Sequence, residues 1–197
     1  MSRLVIATGN PGKLDEFEEL LAGAGLELSA LDTAVVEDAD TYAGNAVLKA
    51  ESASAASGLP ALGDDSGIEL AALGGYPGLH SARLAPTQAE RERLVFERLA
   101  GVARPWRARF VCVLALAVPG RPARAFTGVT EGELVERRAG ATGGFGYDPV
   151  FLVPEVGRTF AEMEPPEKHR WSHRGAAVRA LLESGEIDFV RRFSPWR

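Results

Sequence analysis

From Phe110 to Val118 the chain runs Phe-Val-Cys-Val-Leu-Ala-Leu-Ala-Val without a charged or strongly polar side chain. Nine residues are too few for a membrane helix, which needs about 20. The run, entered through Arg109, is nearly continuous in apolar and β-branched residues, and this predicts a central strand covered on both faces. Strands and single helices alternate along the rest of the chain, so the fold is expected to be α/β.

The remaining patterns fit that frame. Leu4–Ala7 reads as a buried strand ended by a turn at Thr8-Gly9-Asn10-Pro11-Gly12. Asn10 followed by Pro11 has the form of an N-cap and the first helical residue, and Leu14, Phe17, Leu20 and Leu21 then recur at helical spacing up to Gly23 or Gly25. Leu26–Leu31 reads as a second strand, Glu37–Asp40 as an acidic loop, and alanine-rich Tyr42–Ser57 as a helix stopped by Gly58 and Pro60. Pro60–Leu62 and Ile68–Leu73 are expected to be two strand pieces around a tight acidic turn, Gly63-Asp64-Asp65-Ser66-Gly67. Thr87–Leu99 opens with a capping box, Thr87 and Glu90. Ala123–Arg137 predicts a hairpin or meander, and Ser172–Glu183 a final helix capped by Ser172. Strand pairs and single helices alternate irregularly, so the sheet is expected to be mixed, with flanking helices, in one domain over residues 1–197.

Composition narrows the function. The 22 basic residues are outnumbered by 27 acidic ones, which opposes non-specific nucleic-acid binding by a basic face. The single cysteine, Cys112, excludes an intrachain disulfide and a cysteine-only zinc site; it reads as a buried small hydrophobe. The apolar segment after Arg3 is shorter than a signal-peptide core. A soluble cytoplasmic protein that binds neither membrane nor nucleic acid is expected.

Four segments carry candidate chemistry. In Thr8-Gly9-Asn10-Pro11-Gly12-Lys13, glycines allow close backbone approach, a helix N-terminus offers its positive end, and Lys13 adds a cation; the combination suits a polyphosphate. It lacks Walker A spacing, and an ordinary strand–turn–helix with a surface lysine reads equally well. Adjacent Asp64 and Asp65 are costly to hold together unless a cation compensates, and Mg²⁺ accepts one or two carboxylates beside phosphate oxygens. An Asx turn explains the same residues, and Glu37, Asp38 and Asp40 are further candidate ligands or a solvated acidic loop. Gly143-Gly144-Phe145-Gly146-Tyr147-Asp148-Pro149 frees an aromatic ring to stack on a nucleobase, with Asp148 able to accept from base N–H groups; a glycine-rich turn packing its rings in the core is the alternative. Lys168-His169-Arg170-Trp171-Ser172-His173-Arg174-Gly175 places cations at or just before a helix start, where the dipole disfavours them, so the segment is either a bound-anion site or a solvated basic loop. Trp171 lines that pocket or packs, and Trp106 and Trp196 read as packing residues or as part of a subunit interface.

Taken in order with Gly74-Gly75-Tyr76-Pro77-Gly78, these motifs resemble the inosine/xanthosine triphosphate pyrophosphatase family across nearly the whole chain. The resemblance implies two lobes around a nucleotide-binding cleft, a homodimer, and Mg²⁺-dependent hydrolysis of ITP, dITP and XTP to monophosphate and pyrophosphate. It implies that Asp65 is the catalytic acidic residue and a metal ligand, with Asp64 and Glu37 as further metal ligands. Thr8, Gly9, Asn10, Pro11, Gly12, Lys13 and Ser66 would contact the triphosphate. Phe145, Gly146, Tyr147 and Asp148 would read the base, completed by Lys168, His173 and Arg174. Gly44 departs from the glutamate many relatives carry there. Two alternatives are a pyrophosphatase for other modified nucleotides and a non-catalytic nucleotide sensor.

Overall fold

The computed structural model describes residues 2–138 and 143–193. Among them seven strands form one mixed sheet: β1 (Ser2–Ala7), β2 (Leu26–Ala30), β3 (Ala61–Leu70), β4 (Trp106–Ala117), β5 (Arg124–Leu134), β6 (Phe151–Val153) and β7 (Arg158–Thr159). The helices are α1 (Pro11–Leu20), α2 (Tyr42–Ser57), α3 (Gln88–Arg98), α4 (Pro165–Trp171), α5 (His173–Glu183) and α6 (Ile187–Arg192). The strand order is β2-β1-β3-β4-β5-β6-β7, with β1 parallel to β2 and β3, and the β5–β6–β7 end antiparallel. The apolar run of β4 occupies the middle position, as expected of a strand buried on both faces.

By contact density the chain forms two compact units. The first holds the chain up to Asp65, Cys112–Gly128 and the residues from Ala177 on; the second holds Ser66–Val111 and Val129–Ala176. In the first unit β1 is buried on both faces. Leu4 and Ile6 pack with Phe17, Leu62, Leu114 and Leu181, while Val5 and Ala7 pack with Ala53 and Ala61. The second unit has its own core, built on Ile68, Leu70, Val95, Leu99, Phe110, Phe151 and Phe160.

Asn10 caps α1, its side chain accepting from the Gly12 N–H at 2.9 Å, with Pro11 in the first turn. α2 spans the expected residues, and Thr87 and Glu90 form the expected capping box of α3. The acidic turn at 63–67 does not exist: Gly63–Gly67 lies inside the continuous ten-residue strand β3. Glycine and aspartate usually mark turns, but neither Gly63 nor Gly67 has a positive φ. Gly63 instead provides clearance. A Cβ there would collide with the Ala46 carbonyl of α2 and come within 2.8 Å of the Ala50 nitrogen, so the missing side chain lets α2 lie directly on β3.

Other departures follow from tertiary packing. Residues 124–134 form one strand, not a hairpin, with Phe126, Gly128, Thr130, Gly132 and Leu134 buried in strict alternation. Lys168, His169 and Arg170 sit in the last turn of α4, where the helix dipole favours cations, so their placement is favourable and does not require a bound anion. Only His173 and Arg174 open α5, whose N-terminus Ser172 caps by accepting from the Gly175 N–H at 3.0 Å. α5 is not the last helix. α6 follows and docks through Arg191, whose Nε donates to the Ala24 carbonyl at 3.0 Å. Trp196 lies outside the described residues. No helix of the described residues is long and apolar enough to cross a membrane.

Candidate active site

Within the first unit the candidate residues begin where β1 ends. The Asn10 N–H donates to Thr8 Oγ1 at 3.1 Å and the Gly12 N–H to Asn10 Oδ1, so Thr8, Gly9, Asn10, Pro11 and Gly12 form a loop folded on its own side chains. Pro11 carries no N–H. The positive end of α1 and the Lys13 ammonium are therefore the loop's main attractions for an anion. Lys13 does not wave in solvent: its Nζ pairs with Asp64 Oδ1, whose side chain is 1% exposed.

Because β3 is extended, successive side chains leave it on opposite faces. Asp64 meets Lys13, and its Oδ2 lies 3.2 Å from Cys112 Sγ. Asp65 meets α2, where Asn45 Nδ2 donates to its Oδ2 at 3.1 Å and Lys49 Nζ lies 3.4 Å from its Oδ1. Lys49 also reaches Glu37 Oε1 at 3.2 Å, so one ammonium bridges two carboxylates. Asn45 is fully buried, and its carbonyl accepts from the Ala39 N–H at 3.0 Å, which aims the amide nitrogen at Asp65. Burial dominates the electrostatics of Asp65 and raises its pKa; Lys49 and the Asn45 hydrogen bond oppose that shift, while Glu37 and Asp64 add to it.

Hard oxygen donors of this kind suit Mg²⁺. Glu37 and Asp65 already hold a cation between them, the Lys49 ammonium, and a desolvated carboxylate with a raised pKa gains most from a divalent charge. The residues present fit a magnesium ion held by Asp65 with Glu37. Among the described residues no cluster of three or more His, Cys, Asp or Glu stands ready as a metal cage, and Mg²⁺ commonly does without one.

Within the second unit the candidate residues centre on Phe145. Its ring lies 5.1 Å from Lys168 Nζ and 5.7 Å from the Arg174 guanidinium. Asp148 Oδ2 accepts from the Phe145 N–H at 2.8 Å and from Lys168 Nζ at 2.9 Å, so that oxygen ties the loop down. Gly144, at φ +69°, must be glycine, because a Cβ would run into the Asp148 carboxylate. Gly146, at φ +62°, makes the second left-handed step. Tyr147 is turned inward: its ring joins the core and its hydroxyl donates to the Ser81 carbonyl at 3.3 Å, with burial raising its pKa. This anchors the loop and leaves Phe145 as its half-buried aromatic ring. Arg174, 2% exposed, reaches Ser66 Oγ at 3.3 Å, and His173 stacks flat on Phe110, with centroids 4.5 Å apart and planes within 7°.

Sequence reasoning missed Asn45, Lys49, Cys112 and Phe110 as neighbours of these groups. A signal existed for two of them. Asn45 and Lys49 stand four apart in an alanine-rich helix, hence on one face, and asparagine is a poor helix-interior residue unless it has a partner. Nothing local marked Cys112 or Phe110, which are set beside Asp64 and His173 by the sheet and by α5.

This mixed α/β architecture has close counterparts. The pattern that defines the Ham1 family matches residues 4–184, and the chain belongs to that family. It is 50% identical over 191 residues to the dITP/XTP pyrophosphatase of Thermus thermophilus, covering 92% of this chain and 91% of the relative. Over 186 residues it is 50% identical to the dITP/XTP pyrophosphatase of Symbiobacterium thermophilum, covering 92% and 93%. The structure of a HAM1 protein from Coxiella burnetii superposes with a TM-score of 0.82 at 39% identity, covering 93% of this chain and 98% of that one.

Proposed function

We propose that this chain hydrolyses non-standard purine nucleoside triphosphates, dITP, ITP and XTP, to the monophosphate and pyrophosphate. The observation that carries the reading is Asp65: a buried carboxylate with a raised pKa, gripped by Asn45 and Lys49 beside Glu37, in a chain half identical to a dITP/XTP pyrophosphatase. Such a group is a stronger base than an ordinary carboxylate, as a group that accepts a proton from water must be.

In this reading Asp65 orients and deprotonates the water that attacks the α-phosphorus, and Lys49 and Asn45 hold its carboxylate in place. Lys13, with the Thr8–Gly12 loop at the α1 N-terminus, neutralises charge as pyrophosphate leaves. Asp65 and Glu37 would hold Mg²⁺, which when bound supplies positive charge to the phosphate oxygens. Asp64 serves as the anchor of Lys13. Ser66 and Arg174 act as a pair on the nucleotide, and Phe145 offers its face to the purine while Tyr147, Asp148 and Lys168 keep the loop shaped. Donors on His173 and Arg174 match a 6-oxo group and would be left unpaired by adenine's amino group, a mismatch able to discriminate by ~10⁴. A homodimer acting in the cytoplasm belongs to the same proposal and rests on the family resemblance.

The test is a panel of dITP, ITP, XTP, GTP and ATP with Mg²⁺, scoring pyrophosphate against orthophosphate. Pyrophosphate from the first three, with kcat/KM well above that for GTP and ATP, is expected. Comparable turnover of ATP defeats the selectivity, a pyrimidine or methylated-base preference supports a different pyrophosphatase, and binding without turnover makes the chain a sensor.

A further inference from the structure

Cys112 stands in the buried row of β4 that continues through Leu114 and Leu116, residues 0%, 0% and 2% exposed, facing the same core as Phe17 and Leu62. An aliphatic side chain would fill that position. A thiol adds one thing, an S–H, and its sulfur lies 3.2 Å from Asp64 Oδ2. The other oxygen of the same carboxylate pairs with Lys13. A carboxylate free to turn about its last torsion points nowhere in particular, whereas donors on both oxygens set its plane.

We propose that Cys112 is a positioning residue. Its thiol holds the Asp64 carboxylate in the orientation that keeps Oδ1 on Lys13, and so fixes the Lys13 ammonium in the first turn of α1 for the phosphate chain. The inference rests on the pyrophosphatase reading for the identity of the substrate, but the part it assigns to the thiol concerns only this chain's grip on polyphosphate.

Three variants separate orientation from packing. C112S keeps a donor, C112V keeps the volume without a donor, and C112A keeps neither. Calorimetric binding of tripolyphosphate is measured for each, together with kcat and KM for dITP and the thermal midpoint. C112S is expected within about threefold of the parent in Kd and KM. C112V and C112A are expected to weaken tripolyphosphate binding and raise KM by about tenfold, the scale of one hydrogen bond to a charged group, with kcat changed less. C112V binding tripolyphosphate as the parent does, C112S falling together with C112A, or no tripolyphosphate binding by the parent each overturns the proposal. If C112V does not fold, the contrast between C112S and C112A decides. A parent that binds tripolyphosphate yet leaves dITP intact sinks the pyrophosphatase reading alone, because the serine-to-valine contrast in binding still judges the thiol.

Discussion

Asp64 and Asp65 are adjacent in the chain and face opposite sides of β3, the first toward Lys13 and Cys112, the second toward Asn45 and Lys49. Each carboxylate thus has its own lysine, which is how a strand can bury both. At Asp65 burial outweighs these partners and leaves the pKa raised, so the two are expected to answer the same substitution in opposite ways.

Asp65→Asn should lower kcat by about 10²–10⁴-fold, the usual contribution of a general base, while raising the thermal midpoint of the ligand-free protein, because the neutral amide avoids the burial cost of the carboxylate. Asp64→Asn should lower stability by about 1–3 kcal/mol, since it strands Lys13 beside a buried neutral group. Urea unfolding at unchanged m-value, alongside dITP kinetics, checks both. Equal destabilisation by the two variants contradicts the separation of roles.

The pH dependence has a definite sign. The folded-state pKa of Asp65 lies above its ordinary 3.8, so the native chain binds this proton more tightly than the unfolded one. Its ionisation therefore costs stability, a cost absent below the unfolded pKa and complete above the folded one. The stability gap between Asp65→Asn and the parent should shrink as pH falls through that window. In kinetics the acidic limb of kcat/KM should move down in Glu37→Gln and up in Lys49→Met, because Glu37 raises the Asp65 pKa and Lys49 lowers it.

Gly63→Ala tests the packing that sets Asn45 and Lys49 over Asp65. The new methyl meets backbone of α2, which yields only if the helix shifts. A loss of about 1–3 kcal/mol is expected, with a drop in kcat beyond what a distant variant of equal stability shows. Parent-like kinetics would mean the α2–β3 approach does not position the site.

Phe145 and Tyr147 should part company. Phe145→Ala should raise KM for dITP by about ten- to a hundredfold, the value of one base stack, and leave stability nearly unchanged. Tyr147→Phe should cost about 1 kcal/mol through the lost bond to Ser81 and leave KM nearly unchanged. Steady-state kinetics and thermal melts on the pair decide it.

Much of this was legible in the sequence because it is local. The β4 run, the Asn10–Pro11 start of α1 and the Thr87–Glu90 box each carry their cause within a few residues. Gly63–Gly67 has the pattern of a turn yet lies in a strand, because the cations that let Asp64 and Asp65 lie there sit at positions 13 and 49, out of reach of any local pattern. α4 escaped notice because seven residues opening on Pro165-Pro166 give two turns at most, too short for periodicity to register. The candidate site's loops were visible as motifs, but that Tyr147 points inward and Phe145 does not depends on Ser81, 66 positions away.

The central claim is water attack at the α-phosphorus of a non-standard purine triphosphate. Turnover of dITP with Mg²⁺ in ¹⁸O-water, followed by mass spectrometry of both products, tests it most directly. The account predicts one ¹⁸O in dIMP and none in pyrophosphate. Label in the pyrophosphate, or release of orthophosphate in its place, contradicts it.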